Sequence, residues 1–380
     1  MKIGLVLDRF DPAAGGLERW VFGFAQFLAA RGHAPHVLAF EAMDDAPVPV
    51  HRLAAAGSVL ARARAAAAGV AALEADVVLD TGTGWSGDVF MPCTGSRQWS
   101  QRRLVGTEGR LRRVRAAVSP RSLALDVSLG TLERQQIRRA RNVIAVSTLV
   151  RDLLLRQHRA VGAISVVPNG VDVGRFAPER LAGLREAARA RLGVGEGSVL
   201  FLGSAHNMRL KGMDNAIRAL DLLVFEEADV HLAIAGSAPD EGWLRLAAES
   251  GERIRFLGPV DDMAEMFAAA DALVHPTRWD ACSLSTIEAG AAGLPVITTA
   301  CNGAAELIVE EETGFLLMDP EDVGGLAERM RRLLDPAVRA RMGAAARTAS
   351  ARHDVVANYE AVLGILETNR RGRSGSAAGS

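Results

Sequence analysis

Short apolar runs alternate with helix-like segments along the second half of this chain, and no other feature constrains the fold as strongly. The predicted strands cover 198–204, 230–236, 254–260, 272–277 and 295–300, and helix-like segments at 213–225, 241–250, 261–270 and 285–292 separate them. When strands and helices alternate in this way, each crossover joins parallel strands and is right-handed. The pattern therefore predicts an α/β domain with a doubly wound, Rossmann-like parallel sheet.

The first half repeats this alternation. Residues 2–7 form a continuous apolar run, typical of a strand that is buried on both faces, and 17–33 shows helical spacing that Gly32 ends. Further strands are predicted over 35–40, 75–80, 87–90 and 142–147, and a Pro-Asn-Gly turn lies within 165–172. We therefore expect a second Rossmann-like domain in this half.

A chain of 380 residues is too long for one ordinary core and most naturally forms two domains. We expect an N-terminal domain over 1–172, a linker over 173–195 and a C-terminal domain over 196–350. A helix over 351–369 would return to the first domain, and the small, polar tail 370–380 is expected to be disordered. The two sheets would face a cleft at the strand ends, where ligands bind in this architecture.

Composition narrows the class of protein. The apolar fraction of 49% and the charged fraction of 23% are those of a globular chain, and the net charge of −1 gives no overall attraction to nucleic acid or anionic membrane. The cysteines at 93, 282 and 301 are widely spaced and show no metal-ligand pairing. No run approaches the ~20 apolar residues of a membrane span. The apolar segment within residues 1–10 is too short for a signal peptide. The sequence indicates a cytoplasmic protein.

Residues 275–299 carry the strongest indication of chemistry. Asp280 stands eight positions before Glu288, and the small and polar residues between them lead into a helix-like segment. The backbone amides of Ser283, Leu284 and Ser285 could approach a phosphate there, because a helix N-terminus favours negative charge. Glu288, at or just inside that N-terminus, could hold ribose hydroxyls, and Asp280 could hold sugar hydroxyls. This combination predicts a nucleotide-sugar site.

The same residues have structural interpretations. Glu288 could simply stabilise the helix dipole, and Asp280 could cap a turn. His275 directly follows an apolar strand, and a histidine in that position is more often a structural hydrogen-bonding residue than a catalyst.

Two cations and two glycines complete the candidate site. Arg209 and Lys211 follow the strand at 198–204 and are well placed to neutralise a diphosphate. Taken alone, the two residues fit the alternative interpretation, two solvated cations of a loop, equally well. Gly15 and Gly16 would let the backbone approach a donor phosphate or sugar, or they form an ordinary turn. Their loop is neither a dinucleotide fingerprint nor a P-loop, because the further residues of both motifs are missing.

Residues 97–121 hold eight arginines against one acid, Glu108, with apolar residues between them. Basic residues near an anionic surface each contribute about 1 kcal/mol, so this segment could make a peripheral contact with an anionic membrane or a phosphorylated acceptor. It could equally be a solvated helix face. Nucleic acid is not expected as a partner, because no stacking platform or binding module accompanies the charge.

These segments resemble the retaining glycosyltransferases of family 4, which have the two-Rossmann-domain GT-B fold. The resemblance is carried by the Gly15-Gly16 loop, by PNGVD (168–172), by Arg209 and Lys211, and by Asp280 and Glu288 followed by AGLPVITT. It spans residues 1 to about 350. Within the family, three segments look most like the enzymes that add the first glucose to heptose in the lipopolysaccharide core: GGLER (15–19), residues 203–214 with their KGMD, and residues 275–308.

The resemblance implies a metal-independent hexosyltransferase whose donor is a nucleoside diphosphate sugar such as UDP-glucose, with no other cofactor. Arg209 and Lys211 would stabilise the departing diphosphate, and the backbone of Ser283–Ser285 would cradle the phosphates. Asp280 would position the donor sugar, and Glu288 would bind the ribose. The acceptor would be a hydroxyl of a glycan, a glycolipid or a lipopolysaccharide-type molecule.

Two departures from the family pattern bear on specificity. Asp280 stands where the family usually has Glu, so its carboxylate reaches about one methylene less far, and Cys93 and Thr94 stand where the family often has His. Cys93 is better explained as a small buried hydrophobe than as a nucleophile.

Other functions fit the same architecture. A nucleotide-sugar 2-epimerase would need general acid and base groups at the cleft. A non-catalytic sugar-nucleotide-binding subunit or membrane-associated scaffold would bind UDP and turn nothing over. A mannosyl- or N-acetylhexosaminyl-transferase is an alternative in specificity.

Overall fold

The computed structural model describes residues 1–54, 57–107, 114–115, 117–158 and 162–371. The chain divides into two compact units, the first made of Met1–Val167 and Asn358–Ser380 and the second of Pro168–Ala357. Each unit is built around a parallel sheet with helices beside it, so the predicted α/β fold with two Rossmann-like sheets is confirmed. Among the described residues, no helix is long and apolar enough to cross a membrane.

The described part of the first unit contains a sheet of seven parallel strands. They are β1 (Lys2–Phe10), β2 (Ala34–Ala42), β3 (Val50–Arg52), β4 (Val77–Asp80), β5 (Val89–Phe90), β6 (Asn142–Ala145) and β7 (Ala163–Val166). Their order is β3-β2-β1-β4-β5-β6-β7, so the chain builds outward from one side of β1 and then from the other. Its helices are Gly16–Ala30, Val59–Leu73, Arg97–Gly106, Pro120–Arg139 and Thr148–Gln157. The reversal between β1 and β4 is where ligands bind in sheets of this kind.

The C-terminal helix Val355–Thr368 joins the first unit from residue 358 onward. Tyr359 is 8% exposed, and its ring centre lies 5.4–5.6 Å from those of Trp20, Phe24 and Phe27. Trp20 Nε1 donates to Asn358 Oδ1 at 2.7 Å. An aromatic cluster therefore fastens the end of the chain to its first helix.

The described part of the second unit contains a sheet of six parallel strands. They are β8 (Val199–Ala205), β9 (Val230–Gly236), β10 (Ile254–Gly258), β11 (Ala272–His275), β12 (Val296–Thr299) and β13 (Gly314–Leu317). Their order is β10-β9-β8-β11-β12-β13, with the reversal between β8 and β11. The α-helices that follow β8 in this unit are Met213–Phe225, Glu241–Ala247, Met263–Ala269, Leu284–Ala291, Val323–Arg332 and Pro336–Ser350.

Residues 173–195, expected as a linker, lie within the second unit. They form the short helices Pro178–Leu181 and Arg185–Arg191, and Leu181 and Ala188 are 5% and 1% exposed. The segment packs because apolar residues recur between its arginines, one of which, Arg189, is itself buried and ion-paired.

Candidate functional site

The candidate site lies at the carboxyl ends of β8 and β11, the strands between which the order of the second sheet reverses. Ligands bind in the crevice outside the strand ends at such a position. Residues 206–212 follow β8, and 276–283 follow β11. The two loops therefore bring together side chains that are far apart in the sequence.

Lys211, Asp280 and His275 form one hydrogen-bonded group. Lys211 Nζ donates to Asp280 Oδ2 at 2.5 Å, and His275 Nε2 lies 3.2 Å from the same oxygen. The side chains of Lys211 and Asp280 are 21% and 16% exposed, whereas that of His275 is 1% exposed. His275 therefore holds the carboxylate from inside the fold, and Lys211 reaches it from the more exposed side.

The charges of this group are set by its own members. Burial opposes ionisation of Asp280, but the ammonium of Lys211 and the hydrogen bond from His275 outweigh it and hold the pKa of the Asp280 carboxyl well below its usual range. Burial lowers the pKa of His275, and the charge of Lys211 adds to this effect, while Asp280 acts against it. At neutral pH the group is a carboxylate between an ammonium and a neutral imidazole that donates through Nε2–H.

Gly212 fixes the loop after β8 against the end of β11. Its φ is +69°, and a Cβ at this position would lie 2.0 Å from the carbonyl oxygen of Pro276. Only glycine meets both conditions without a shift of the backbone. Because Lys211 directly precedes this contact, its backbone is placed beside the residues that follow β11.

Arg278 ties the same two loops together. Its guanidinium donates to the carbonyl of Arg209 at 2.6 Å, to Asp214 at 2.7 Å and to Glu321 at 2.8 Å. Burial opposes its charge, but the carboxylates of Glu321 and Asp214 outweigh burial and raise the pKa of Arg278 above its usual range. Arg278 is therefore a permanent cation with a structural role, and it shapes the loop that carries Lys211.

The structure does not bring Arg209 into the group around Asp280. The Arg209 side chain is exposed, and its guanidinium carbon lies 5.7 Å from the centre of the Trp243 ring, a cation–π contact with helix Glu241–Ala247. The role of Arg209 at a diphosphate stays a prediction.

The N-terminus of helix Leu284–Ala291 lies close behind Asp280 in the chain. Ser283 is its N-cap, with Oγ accepting the Thr286 amide at 3.3 Å, and the Ser283 amide itself donates to Asn302 Oδ1 at 3.2 Å. The backbone amides of residues 283–285 were all expected to face a phosphate. Only those of Leu284 and Ser285 can do so, because the Ser283 amide already donates to Asn302. Within the described part of the chain, the amides of Leu284 and Ser285 have no acceptor, as is usual for the first amides of a helix.

Asn302 holds this N-terminus in place. It is 1% exposed and uses both ends of its side chain: Oδ1 accepts amides from Ser283 and Ala304, and Nδ2 donates to the hydroxyls of Thr286 and Thr298, all at 3.0–3.2 Å. Asn169, in the PNGVD segment, donates to the carbonyl of Cys282 at 2.8 Å. The backbone before the helix is thus fixed from two sides.

Glu288 is the fifth residue of its helix and therefore lies about one turn inside, somewhat deeper than predicted. Residues three and four apart share a helix face, and side chains lean toward the N-terminus. The half-buried Glu288 therefore shares a face with Leu284 and Ser285, whose amides have no acceptor among the described residues.

The remaining predicted residues belong to the first unit. Gly16 begins helix Gly16–Ala30, and Gly15 is its N-cap, extended at φ 172° and without a side-chain cap. Thr94 is exposed and Cys93 is half-buried. Burial raises the pKa of the Cys93 thiol to about 12, which agrees with a small hydrophobe and not with a nucleophile.

Arg278 and Asn302 are the residues that sequence reasoning missed. The partners of Asn302 stand up to 19 positions away, and those of Arg278 up to 69, so neither role leaves a local pattern. The weak signal for Asn302 is an amide residue shortly after a strand made entirely of β-branched residues. In the described ranges, no group of three or more His, Cys, Asp or Glu is arranged to hold a metal ion.

Two family models match the chain, and together they cover most of it. The model described as Glycosyltransferase Family 4 matches residues 14–175, and the one described as Glycosyl transferases group 1 matches residues 196–336. Together with the two Rossmann-like units, these matches define the class: the chain belongs to the family 4 glycosyltransferases.

Individual proteins add detail. The chain is 35% identical over 230 residues to a D-inositol 3-phosphate glycosyltransferase of Streptomyces avermitilis, covering 56% of this chain and 49% of that protein. It is 32% identical over 174 residues to the lipopolysaccharide glucosyltransferase WaaG of Escherichia coli, covering 44% and 46%. The matches thus span about half the length of these relatives.

Solved structures show the same fold over the full length. The crystal structure of WaaG, a glycosyltransferase involved in lipopolysaccharide biosynthesis, matches with a TM-score of 0.80 at 23% identity, covering 96% of this chain and 99% of that one. The structure of Anabaena HepE in complex with UDP-glucose matches with a TM-score of 0.70 at 20% identity, covering 97% and 100%.

Proposed function

We propose that this protein is a retaining glycosyltransferase that moves a hexose, with glucose as the first candidate, from a nucleoside diphosphate sugar to a hydroxyl of a glycan, glycolipid or lipopolysaccharide-type acceptor. The observation that carries the proposal is the position of Lys211 and Asp280 just ahead of helix Leu284–Ala291, at the reversal of the second sheet. The names of two similar proteins, a lipopolysaccharide glucosyltransferase and a protein solved with UDP-glucose, support this donor and acceptor.

Positive charge would reach the diphosphate from two sources. An ammonium has three donors, so Lys211 can keep Asp280 and still donate to a phosphate oxygen. The amides of Leu284 and Ser285, at the positive end of the helix, would supply the rest. Such preorganised donors stabilise the charge that grows as the glycosidic bond breaks, so we propose that no divalent metal is needed.

The transfer itself needs no protein nucleophile. The bond between the anomeric carbon and the diphosphate oxygen breaks, and the acceptor oxygen bonds to that carbon from the same face. The acceptor proton passes to the departing phosphate. Both contacts of Asp280 use Oδ2, and within the described chain Oδ1 has no partner, so Oδ1 would accept a hydroxyl of the donor sugar. Glu288 would bind the ribose.

Lysine stands at only two positions of this arginine-rich chain, Lys2 and Lys211. We therefore expect a compact ammonium to be required at 211, where a planar guanidinium would not fit between Asp280 and a phosphate. Lys211→Ala and Lys211→Arg should each lower the rate of transfer from UDP-glucose to a truncated lipopolysaccharide core about 100-fold or more. Glu288→Ala should abolish the transfer. Transfer is measured by release of UDP, with the melting temperature as a check on folding.

The matched control is Arg191→Ala, which removes an exposed cation of the second unit that pairs with Glu265. It should leave transfer unchanged. Wild-type transfer by Lys211→Ala would contradict the assignment of the site.

A nucleotide-sugar 2-epimerase is separated by incubation with donor and no acceptor. The proposed transferase hydrolyses the donor slowly at most, whereas an epimerase would convert the sugar at C2, which NMR detects. A non-catalytic subunit would be stabilised by UDP against unfolding and would show no turnover with any acceptor.

We also propose a peripheral contact with anionic membrane, on the cytoplasmic face, through part of 97–121 and the helix after it. Residues 108–113 and 116 of this segment lie outside the described residues. Beside them, Val118, Leu123 and Val127 are 70%, 52% and 62% exposed, and Arg115 and Arg121 are exposed as well. Cosedimentation with phosphatidylcholine vesicles should require added phosphatidylglycerol and should weaken in Leu123→Ser/Val127→Ser. Binding that ignores vesicle charge would contradict this contact.

A further inference from the structure

Two arginines meet one carboxylate at the reversal of the first sheet. Arg62, on helix Val59–Leu73, lies 3.4 Å from Asp8 Oδ1, and Arg97, at the start of helix Arg97–Gly106, lies 3.2 Å from Asp8 Oδ2. Asp8 is near the carboxyl end of β1, and Arg97 also donates to the carbonyl of Gly82, just after β4, at 2.8 Å. The group therefore stands between the ends of β1 and β4, where a sheet of this type binds ligands.

The charges of this group do not balance. The two guanidinium groups share Asp8, and the side chains of Arg62, Arg97 and Asp8 are 37%, 40% and 37% exposed. Nε of Arg62 is buried and has no hydrogen-bond partner among the described residues. An ion pair this exposed contributes little to stability, so stability alone is a poor reason for placing two cations here.

The surroundings hold the two cations in fixed positions. The Arg62 guanidinium lies 4.3 Å from the centre of the Phe40 ring, which orients it. The other nearby carboxylate, Asp80, is 1% exposed, and its Oδ1 accepts the amides of 82–84 at 2.9–3.1 Å. Asp80 is therefore turned mainly to the backbone amides; Arg97 acts on it only through charge, and neither arginine makes a hydrogen bond to it among the described residues.

We propose that Arg62 and Arg97 bind a phosphate monoester on the acceptor, an inference that rests on the proposed glycosyltransferase function. A guanidinium group can donate two parallel hydrogen bonds to two oxygens of one phosphate. A phosphate dianion can therefore compete with Asp8 for Arg62 and for Arg97. In this arrangement Asp8 weakens anion binding, because its charge has the same sign as the ligand. The acceptor hydroxyl thus belongs to a phosphorylated sugar or polyol.

The test is calorimetric titration of the full chain, saturated with UDP to occupy the second unit, using inorganic phosphate and the pair glucose and glucose 6-phosphate. Glucose 6-phosphate and inorganic phosphate should bind, and glucose should not. Arg62→Gln should weaken binding of glucose 6-phosphate about 10-fold, while Asp8→Asn should strengthen it several-fold. Arg31→Gln is the matched control, because Arg31 also pairs with a single carboxylate, Glu360, and stacks on a ring, Phe27.

If the two arginines form an anion site, Arg62→Gln lowers the affinity for glucose 6-phosphate and Asp8→Asn raises it. If they form only a structural ion pair, both variants break that pair and change the affinity in the same direction. Equal binding of glucose and glucose 6-phosphate, or a weakening by Asp8→Asn, would overturn the proposal. Binding of inorganic phosphate alone would also overturn it, because it would identify a free-anion site. The UDP titration is read separately: if UDP binds and is released from UDP-glucose while no phosphate probe binds, only this inference fails.

Discussion

Asp80 is a buried carboxyl of the first unit whose ionisation is linked to folding. Burial raises the pKa of its carboxyl to about 6, although the amides of 82–84 and the charge of Arg97 act against the shift. Its Oδ2 is buried without a hydrogen-bond partner among the described residues. The folded protein therefore binds a proton at Asp80 more tightly than the unfolded chain does.

The sign of the pH dependence follows from this. Between about pH 4 and pH 6 the folded state binds more protons at Asp80 than the unfolded state, so the free energy of unfolding falls as the pH rises, by about 3 kcal/mol at most from this group. Asp80→Asn keeps the acceptor oxygen for the three amides and removes the titration. Urea unfolding should show that the variant gains stability relative to the wild type across this range, and a constant difference would contradict the shift.

The sequence allowed single site residues to be predicted as candidates, but not the contacts between them. Lys211 and Asp280 each stand after a predicted strand, which marks both as candidates, but their 2.5 Å contact joins positions 69 apart and has no local signature. Arg209 carries the same signal as Lys211 but lies against Trp243, because a flexible side chain three residues before the constrained Gly212 can take either direction.

At the scale of elements, the turn between β8 and its helix can be formed without strain only if residue 212 is glycine. Gly212→Ala places a methyl group 2.0 Å from a backbone oxygen in a left-handed conformation, so we expect a loss of roughly 2 kcal/mol or more in the free energy of unfolding. UDP affinity should fall as well, because Lys211 moves with the turn.

Gly183→Ala serves as the control in the same unit, since a Cβ there meets nothing within 4 Å. Denaturant unfolding and UDP titration of both variants check the expectation. Equal stability of the two variants would show that the loop after β8 adapts.

Elements with strong patterns were predicted well. Helix Met213–Phe225 and strand β9 have the bounds that the sequence predicted, because a glycine marks the start of the helix and an apolar run interrupted only by His231 marks the strand. Helix Val59–Leu73 and strand β13 were not predicted. The helix is largely alanine and shows little contrast between its faces, and β13 has only four residues after a turn rich in glutamate.

At the scale of the whole molecule, the first unit depends on a helix that follows the whole second sheet in the sequence. Tyr359→Ala removes a ring packed against Trp20, Phe24 and Phe27 and should destabilise this unit by about 3 kcal/mol. Hydrogen exchange should rise in β1 and β2 and stay unchanged in β8 and β9. Val356→Ala, on the exposed start of the same helix, is the control. Equal protection of β1 in the two variants would contradict the dependence.

The order of the two units along the chain also bears on synthesis at the ribosome. All of the second unit, Pro168–Ala357, has been translated before Asn358 and Tyr359 appear, so it can fold while the first unit still lacks the helix that covers Trp20. Domains generally fold as they emerge, N-terminal first. Here the N-terminal strands emerge long before the helix whose Tyr359 packs on Trp20, Phe24 and Phe27, so the first unit can complete its aromatic cluster only after the second unit has been translated.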